Sequence, residues 1–163
     1  MKYKFIVDEN IFYCAIRGVD EYDNRDTSSA RFLAYLLKNC HKICLDRECN
    51  KHFEKTIQIK LGNISKTEPV LPEIDLLIQN IVHTSEKIIR EFSNSGEFPD
   101  DEKMPRKDLY LARCANYFSA KVVTLDREFR DAVNANSFLK DRGIEALDPK
   151  NATTLVKNNQ VLQ

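Results

Sequence analysis

Three aspartates occupy places where a chain most readily assembles a reactive site. Asp8 follows the apolar run Phe5-Ile6-Val7, Asp126 follows Val122-Val123-Thr124-Leu125, and Asp108 opens a segment in which Leu111, Ala112 and Ala115 recur at helical spacing. An acid directly after a β-prone run lies at the carboxyl end of a strand, and open parallel sheets gather their ligands beyond those ends. Carboxylates drawn together repel one another and lose hydration, so a cation is their natural counterweight. Hard oxygen ligands suit Mg²⁺ or Mn²⁺, which hold a phosphate oxygen and activate water for in-line attack. The chemistry implied is phosphodiester hydrolysis. Taken singly, an acid that ends a strand is more often a helix cap or a solvated turn residue. Three in register are what point to metal.

The elements that must position these acids alternate between strand and helix. Residues 3–7 form a β-prone run ending at Asp8, and residues 10–17 read as a short helix closed by Gly18. After a polar loop over 20–26, Ser28 or Ser29 is the expected cap of a helix bearing Phe32, Leu33, Tyr35, Leu36 and Leu37. A second strand spans 41–45; Asp46 ends it and caps a helix carrying Cys49, Phe53 and Ile57, with Gly62-Asn63 as the stop signal. Pro72 opens the longest periodic segment, where Ile74, Leu77, Ile78, Ile81, Val82, Ile88 and Ile89 predict one core-packed helix up to a break at 93–96. Residues 97–107 contain two prolines and predict an exposed loop. A strand over 121–125, a short helix, and a last strand over 143–147 before Asp148-Pro149 complete the pattern. The predicted fold is a three-layer α/β/α domain over residues 1–150 with a central parallel sheet of four or five strands, followed by a frayed tail over 151–163.

Composition narrows the function class. A hydrophobic content of 42% and a charged content of 31% match ordinary globular domains and exclude disorder for most of the length. With 25 basic and 25 acidic side chains the formal charge is zero, so the field of a dedicated duplex binder is missing. An enzyme that grips phosphate through bound metal needs only local positive charge. No apolar run reaches bilayer length, and Met1-Lys2-Tyr3-Lys4 leads into a strand rather than a signal peptide, which predicts a cytoplasmic protein. The five cysteines, Cys14, Cys40, Cys44, Cys49 and Cys114, are odd in number and several lie on apolar faces, so buried thiols are expected rather than a disulfide framework.

The order of these segments resembles the PIN-domain ribonuclease family over nearly the whole chain. Phe5-Ile6-Val7-Asp8-Glu9-Asn10 is similar to the family's opening strand, its acid and the asparagine two places on. Asp108 with Ala112 and Ala115 resembles the family helix in which an acid begins a small-residue face. Val122-Val123-Thr124-Leu125-Asp126-Arg127-Glu128-Phe129 resembles the strand, threonine and acid that complete the site, and Gly143-Ile144-Glu145-Ala146-Leu147-Asp148-Pro149 the final strand and its proline.

That resemblance implies a metal-dependent endoribonuclease in which Asp8, Asp108 and Asp126 ligate Mg²⁺ or Mn²⁺, with Glu128 as a further ligand. Asn10 and Thr124 would orient carboxylates or the attacking water, with capping as the competing role. Glu9 reads as solvent-facing. The family places a glutamate about six residues past the cap of the helix after the second strand, and counting from Asp46 reaches His52 instead. Glu48, four residues earlier on the same face, is the candidate substitute; a surface glutamate favoured by the helix dipole is the alternative. His52 would then contact metal or phosphate. Arg106, Lys107 and Arg127, with Lys103 and Arg130, are candidate contacts to the RNA backbone, or a solvated face. Compact family members are commonly toxins held by a small antitoxin protein that covers the acidic cleft, and they often form homodimers; others process RNA.

Three other readings compete. A phosphoacceptor receiver domain would use Asp101, yet such an acid should directly follow a buried strand, and Asp101 follows Glu97-Phe98-Pro99-Asp100. A zinc site would draw on Cys40, His41, Cys44, Cys49 and His52, whose spacing matches no standard pair of knuckles. A PIN fold without catalysis, serving as an RNA or protein binding module, is fed by the missing glutamate.

Overall fold

The structure, a computed structural model, describes residues 2–84, 86–92 and 96–158. Short runs containing Ile, Val or Phe, which favour extended backbone, form β1 (Lys4–Val7), β2 (Lys42–Leu45), β3 (Ile88–Arg90) and β4 (Lys121–Val123), and the pair Ala146–Leu147 forms β5. Among the described residues these build one five-stranded, all-parallel sheet in the order β3-β2-β1-β4-β5. Phe5 in the central strand pairs with Ile43 on one side and Lys121 on the other. Parallel neighbours require crossovers, and helices supplied by those crossovers cover both faces in a three-layer α/β/α arrangement. The chain winds outward from β1 through β2 to β3, then crosses back to β4 and β5. β1 and β4 are therefore adjacent in space but distant in sequence, and it is beyond the carboxyl ends of two such strands that an open parallel sheet forms its crevice.

Helices α1 (Glu9–Arg17), α2 (Ser28–Lys38), α3 (Arg47–Lys55), α4 (Gly62–Thr67), α5 (Pro72–His83), α6 (Leu109–Phe118), α7 (Arg127–Ala135), α8 (Ser137–Asp141) and α9 (Pro149–Asn158) surround the sheet. α1 packs on α2 and α5, α2 on α9, and α6 lies against β1, β2 and β4 with α3 beside it. Phe5, Phe12, Phe32, Ile43 and Ile78 are fully enclosed between these layers. Three helix starts that matter here are capped by strand-ending acids. Asp8 Oδ1 accepts from Asn10 N at 3.4 Å, Asp46 Oδ1 from Cys49 N at 2.8 Å, and Asp126 Oδ1 from Phe129 N at 3.0 Å. Gly18 closes α1 in the left-handed region at φ 66, which its missing Cβ makes inexpensive.

Several segments depart from the sequence expectation. Gly62 does not stop the helix: it keeps a helical φ of −63 between a π-helical turn, Thr56–Leu61, and α4. Leu61 and Ile64 remain buried and Thr56 and Lys60 bond Glu9, so tertiary contacts outweigh the ~1 kcal/mol cost of helical glycine. The long helix predicted from Pro72 ends at His83, and Ile88 and Ile89 instead pair with Ile43 and Cys44 in the sheet. A short β-branched run satisfies either periodicity, and the open edge of β2 decides it. The predicted break at 93–96 lies outside the described residues except for Gly96. Neither Ser28 nor Ser29 is the cap of α2; Thr27 holds that place, while Asp26 Oδ1 accepts from Ser28 N at 2.7 Å and Ser29 is buried. The 97–107 connection is anchored rather than exposed throughout, with Phe98, Asp101 and Met104 buried. Residues 151–158 are no frayed tail, since α9 buries Ala152, Thr153 and Val156 against α2. Residues 159–163 of that expected tail lie outside the described residues.

Candidate metal centre

The crevice beyond β1 and β4 is built by backbone first. Asp8 N donates to Val123 O at 2.9 Å, which locks the end of β1 to the end of β4. One residue on, Thr124 is fully buried, and its Oγ1 donates to Asp8 Oδ2 at 2.7 Å while accepting from Asp126 N at 3.1 Å. A single hydroxyl thus fixes two of the three predicted acids. Asp108 reaches the same place from the start of α6, which lies against β1 and β4. The charges acting most on Asp108 are those of Asp8, Lys107, Asp126 and Glu128.

Oxygen by oxygen, the three carboxylates are unequal. Both oxygens of Asp8 accept hydrogen bonds, the one from Asn10 being long. Asp126 Oδ1 caps α7 and its Oδ2 accepts from Lys107 Nζ at 2.6 Å. Asp108 Oδ2 is buried without a hydrogen-bond partner among the described residues, and Lys107 Nζ lies 3.8 Å from it. A desolvated carboxylate oxygen without a donor carries a penalty that a bound cation would relieve. Proton affinities follow this geometry. Burial and the nearby Asp8 push the Asp108 carboxyl up to about 6, and burial also raises Asp8 despite the Thr124 bond. Asp126 is held below the ordinary carboxylate range, chiefly by Lys107 and then by the Phe129 amide.

The donor set, all carboxylate oxygen with one orphaned atom, fits a hard divalent ion. The acids are not drawn to ligand spacing around one point. Among the described residues, the set of three side chains with ligand atoms all within 4.8 Å of one another is Asp46, Cys49 and Cys114. In the crevice the Lys107 ammonium stands between Asp108 and Asp126, where a divalent ion would have to displace it.

The remaining predicted residues fall into separate groups. Glu128 is exposed in the first turn of α7 within electrostatic reach of Asp108. Asn10 is exposed beside Asp126 in the lining of an open cavity of about 450 Å³, which Arg127 also lines with Tyr13, Arg17 and Tyr22. Glu48 is exposed and lines a second depression with Asp46, Arg106, Tyr110 and Arg113, whose lining includes none of Asp8, Asp108 and Asp126. Lys107 contacts the acids themselves from a largely exposed position. Of the other basic candidates, Lys103 pairs with Asp100 at 3.0 Å and Arg130 donates to Thr124 O at 2.9 Å. His52 stacks on Tyr110 at 4.2 Å between centroids and lies 3.9 Å from Glu9.

Glu9 is the residue that sequence reasoning missed. Far from facing solvent freely, it accepts from Thr56 Oγ1 at 2.9 Å and Lys60 Nζ at 3.1 Å. Tyr110 feels both Asp8 and Glu9, so Glu9, His52 and Tyr110 form the wall of the crevice toward α3. Its adjacency to Asp8 and the helical register of His52 and Thr56 were the available signals. Of the competing readings, the receiver fails on position, because Asp101 lies in a 3-10 turn and is paired with Arg113 at 2.8 Å. The five-residue zinc set is dispersed: Cys40 is exposed and His41 Nδ1 accepts from Tyr3 N at 3.0 Å. Among the described residues no helix is long and apolar enough to cross a membrane. In comparisons with known proteins, no family model and no curated protein matches the chain.

Proposed function

We propose that this chain is a Mg²⁺ or Mn²⁺ dependent endoribonuclease of PIN type, hydrolysing RNA phosphodiester bonds at the crevice between β1 and β4. The observation that carries the proposal is the orphaned, buried Asp108 Oδ2, on a carboxylate within electrostatic reach of Asp8 and Asp126 at the point where strand order reverses. Asp8, Asp108 and Asp126 would hold the ion. A divalent cation there supplies Lewis-acid polarisation of the phosphate and lowers the proton affinity of water. Thr124 keeps Asp8 and the Asp126 backbone in fixed relation, so little reorganisation is needed during reaction. The 78% exposed Tyr22 offers a stacking face for an unpaired base in the cavity beside Asp126, with the exposed Arg127 for a phosphate, while Arg17 is already paired with Asp23 and Glu68 over the Tyr13 ring. The same family resemblance extends the proposal to a small protein partner over the crevice and to homodimers.

The test is Mn²⁺-dependent cleavage of single-stranded RNA by the full chain and by Asp8→Asn, with Mn²⁺ binding measured calorimetrically on both. Cleavage and tight binding in the first, and loss of both in the second, are expected. Equal cleavage by the two proteins rejects the mechanism. A second reading, an RNA-binding module without catalysis, is favoured by the Lys107 ammonium, which already gives Asp126 a cation. RNA binding without cleavage at saturating Mn²⁺ would select it.

A further inference from the structure

A second set of donors lies apart from the carboxylate crevice, where α3 meets α6. Asp46 ends β2, and three residues later Cys49 points back along the first turn of α3, tied to it by the Cys49 N to Asp46 Oδ1 bond of 2.8 Å. Cys114 arrives from the facing side of α6, and one ligand atom from each of the three lies within 4.8 Å of the others. Two ligands on one helical turn and a third from a distant segment supply the three protein ligands of a zinc centre that keeps its fourth position open. Zn–S bonds of about 2.3 Å in tetrahedral geometry put sulfurs roughly 3.8 Å apart, so an ion fits with small side-chain adjustment.

Without an ion the three groups already engage one another: Cys49 is hydrogen-bonded to the side chains of Cys114 and Asp46, and these bonds together with burial raise the proton affinity of its thiol. The thiols' outward contacts are weak, Cys49 Sγ lying 3.8 Å from Tyr110 O and Cys114 Sγ 3.9 Å from Cys44 O. Both sulfurs are sealed from solvent, but Asp46 lines an open depression of about 340 Å³ that also bears Glu48 and Arg106. Entry through that depression leaves the fourth coordination position to water or to Glu48, and the arginine side chain offsets the negative charge of the complex.

We infer that Asp46, Cys49 and Cys114 form a binding site for a borderline-soft divalent cation of the zinc class, separate from the crevice acids and selective against Mg²⁺. Binding breaks two S–H bonds, forms two metal–sulfur bonds and one metal–carboxylate bond, and delivers two protons to solvent. The ion would clamp α3 to α6, the helix whose first turn carries Asp108, and so steady the crevice wall at His52 and Tyr110.

The test is titration of the reduced, metal-free full chain with Co²⁺ and then Zn²⁺. One equivalent of Co²⁺ should produce a thiolate-to-cobalt charge-transfer band, displaced by one equivalent of Zn²⁺ with an upward shift in melting temperature. The band should survive in Asp8→Asn and vanish in Cys114→Ser. No band, or one that persists in Cys114→Ser, overturns the inference. Should that variant fail to fold, X-ray absorption at the zinc edge of the unaltered protein decides: two sulfur ligands support the site, and none or one overturns it.

Discussion

Asp126 and Asp148 are built alike and stand in different surroundings. Each follows a strand, and each offers Oδ1 to an amide three residues on, Phe129 N at 3.0 Å and Asn151 N at 2.8 Å. Asp126 flanks the gap where strand order reverses, so it shares its crevice with Asp8, Asp108 and the Lys107 ammonium. Asp148 lies one strand further out, and its Oδ2 accepts instead from the Asn151 side chain at 2.9 Å. The backbone device is common to both; position relative to the switch point turns a cap into a candidate ligand. The largest effect should expose this difference. Asp126→Asn, which preserves capping, should lower Mn²⁺-dependent RNA cleavage by on the order of 10²–10³-fold, as loss of a group that stabilises developing charge does. Asp148→Asn should leave the rate unchanged, and an equal loss in both would dissolve the distinction.

The same contrast explains what was legible in the sequence. A strand-ending acid announces itself by local pattern, which is why Asp8, Asp46 and Asp126 were all visible as caps. Which of them share a crevice depends on strand order, a non-local property that alternation of strands and helices constrains without specifying. Gly62 and Ile88-Ile89 depart from their local pattern for a related reason. Gly62 has local preferences for ending a helix, but buried Leu61 and Ile64 on either side of it keep the chain helical. Ile88-Ile89 continues the helical spacing of α5 only by coincidence, and pairing with β2 settles its conformation. Glu9 was marked locally by its place beside Asp8, but its partners, Thr56 and Lys60, come from the π-helical turn that no periodicity predicts.

A second, smaller effect separates the acids within the crevice by the sign of their contribution to stability. Asp108 has its carboxyl raised to about 6 from an ordinary 3.8, mainly by burial, so the folded state holds its charge at a cost. Stability from this group is fully present below the unfolded value and lost as pH rises through about 6. Metal-free protein should therefore gain stability as pH falls from 7 toward 5, and Asp108→Asn should raise stability at pH 7 by on the order of 1–3 kcal/mol while flattening that pH dependence. Asp126 has the opposite sign, held low by Lys107, and Asp126→Ala should cost about 1 kcal/mol through its lost cap. Urea denaturation with EDTA present, at several pH values, measures both. Destabilisation by Asp108→Asn would mean that its carboxylate is already compensated and that the argument from its orphaned oxygen fails. Gly96 offers a purely structural reference for the scale: a Cβ there would lie 1.8 Å from Arg113 O, so Gly96→Ala should destabilise without regard to metal or pH.

The finest test concerns Lys107, whose Nζ stands 2.6 Å from Asp126 Oδ2 and 3.8 Å from Asp108 Oδ2. An ammonium in that place competes with a divalent ion for the same oxygens, and its departure costs whatever attraction it had. The side chain is 68% exposed, so solvent screens most of that attraction and the cost is modest. Lys107→Met should therefore tighten Mn²⁺ binding by roughly threefold to tenfold, the order expected for removing one screened like charge a few ångströms away. Calorimetry at two ionic strengths checks the cause as well as the size, since the gain should shrink as salt rises. Unchanged affinity would mean that the lysine leaves the acids freely in solution. Weaker binding would mean that it organises Asp108 and Asp126 for the ion instead of competing with it, and would move Lys107 from rival to partner in the crevice.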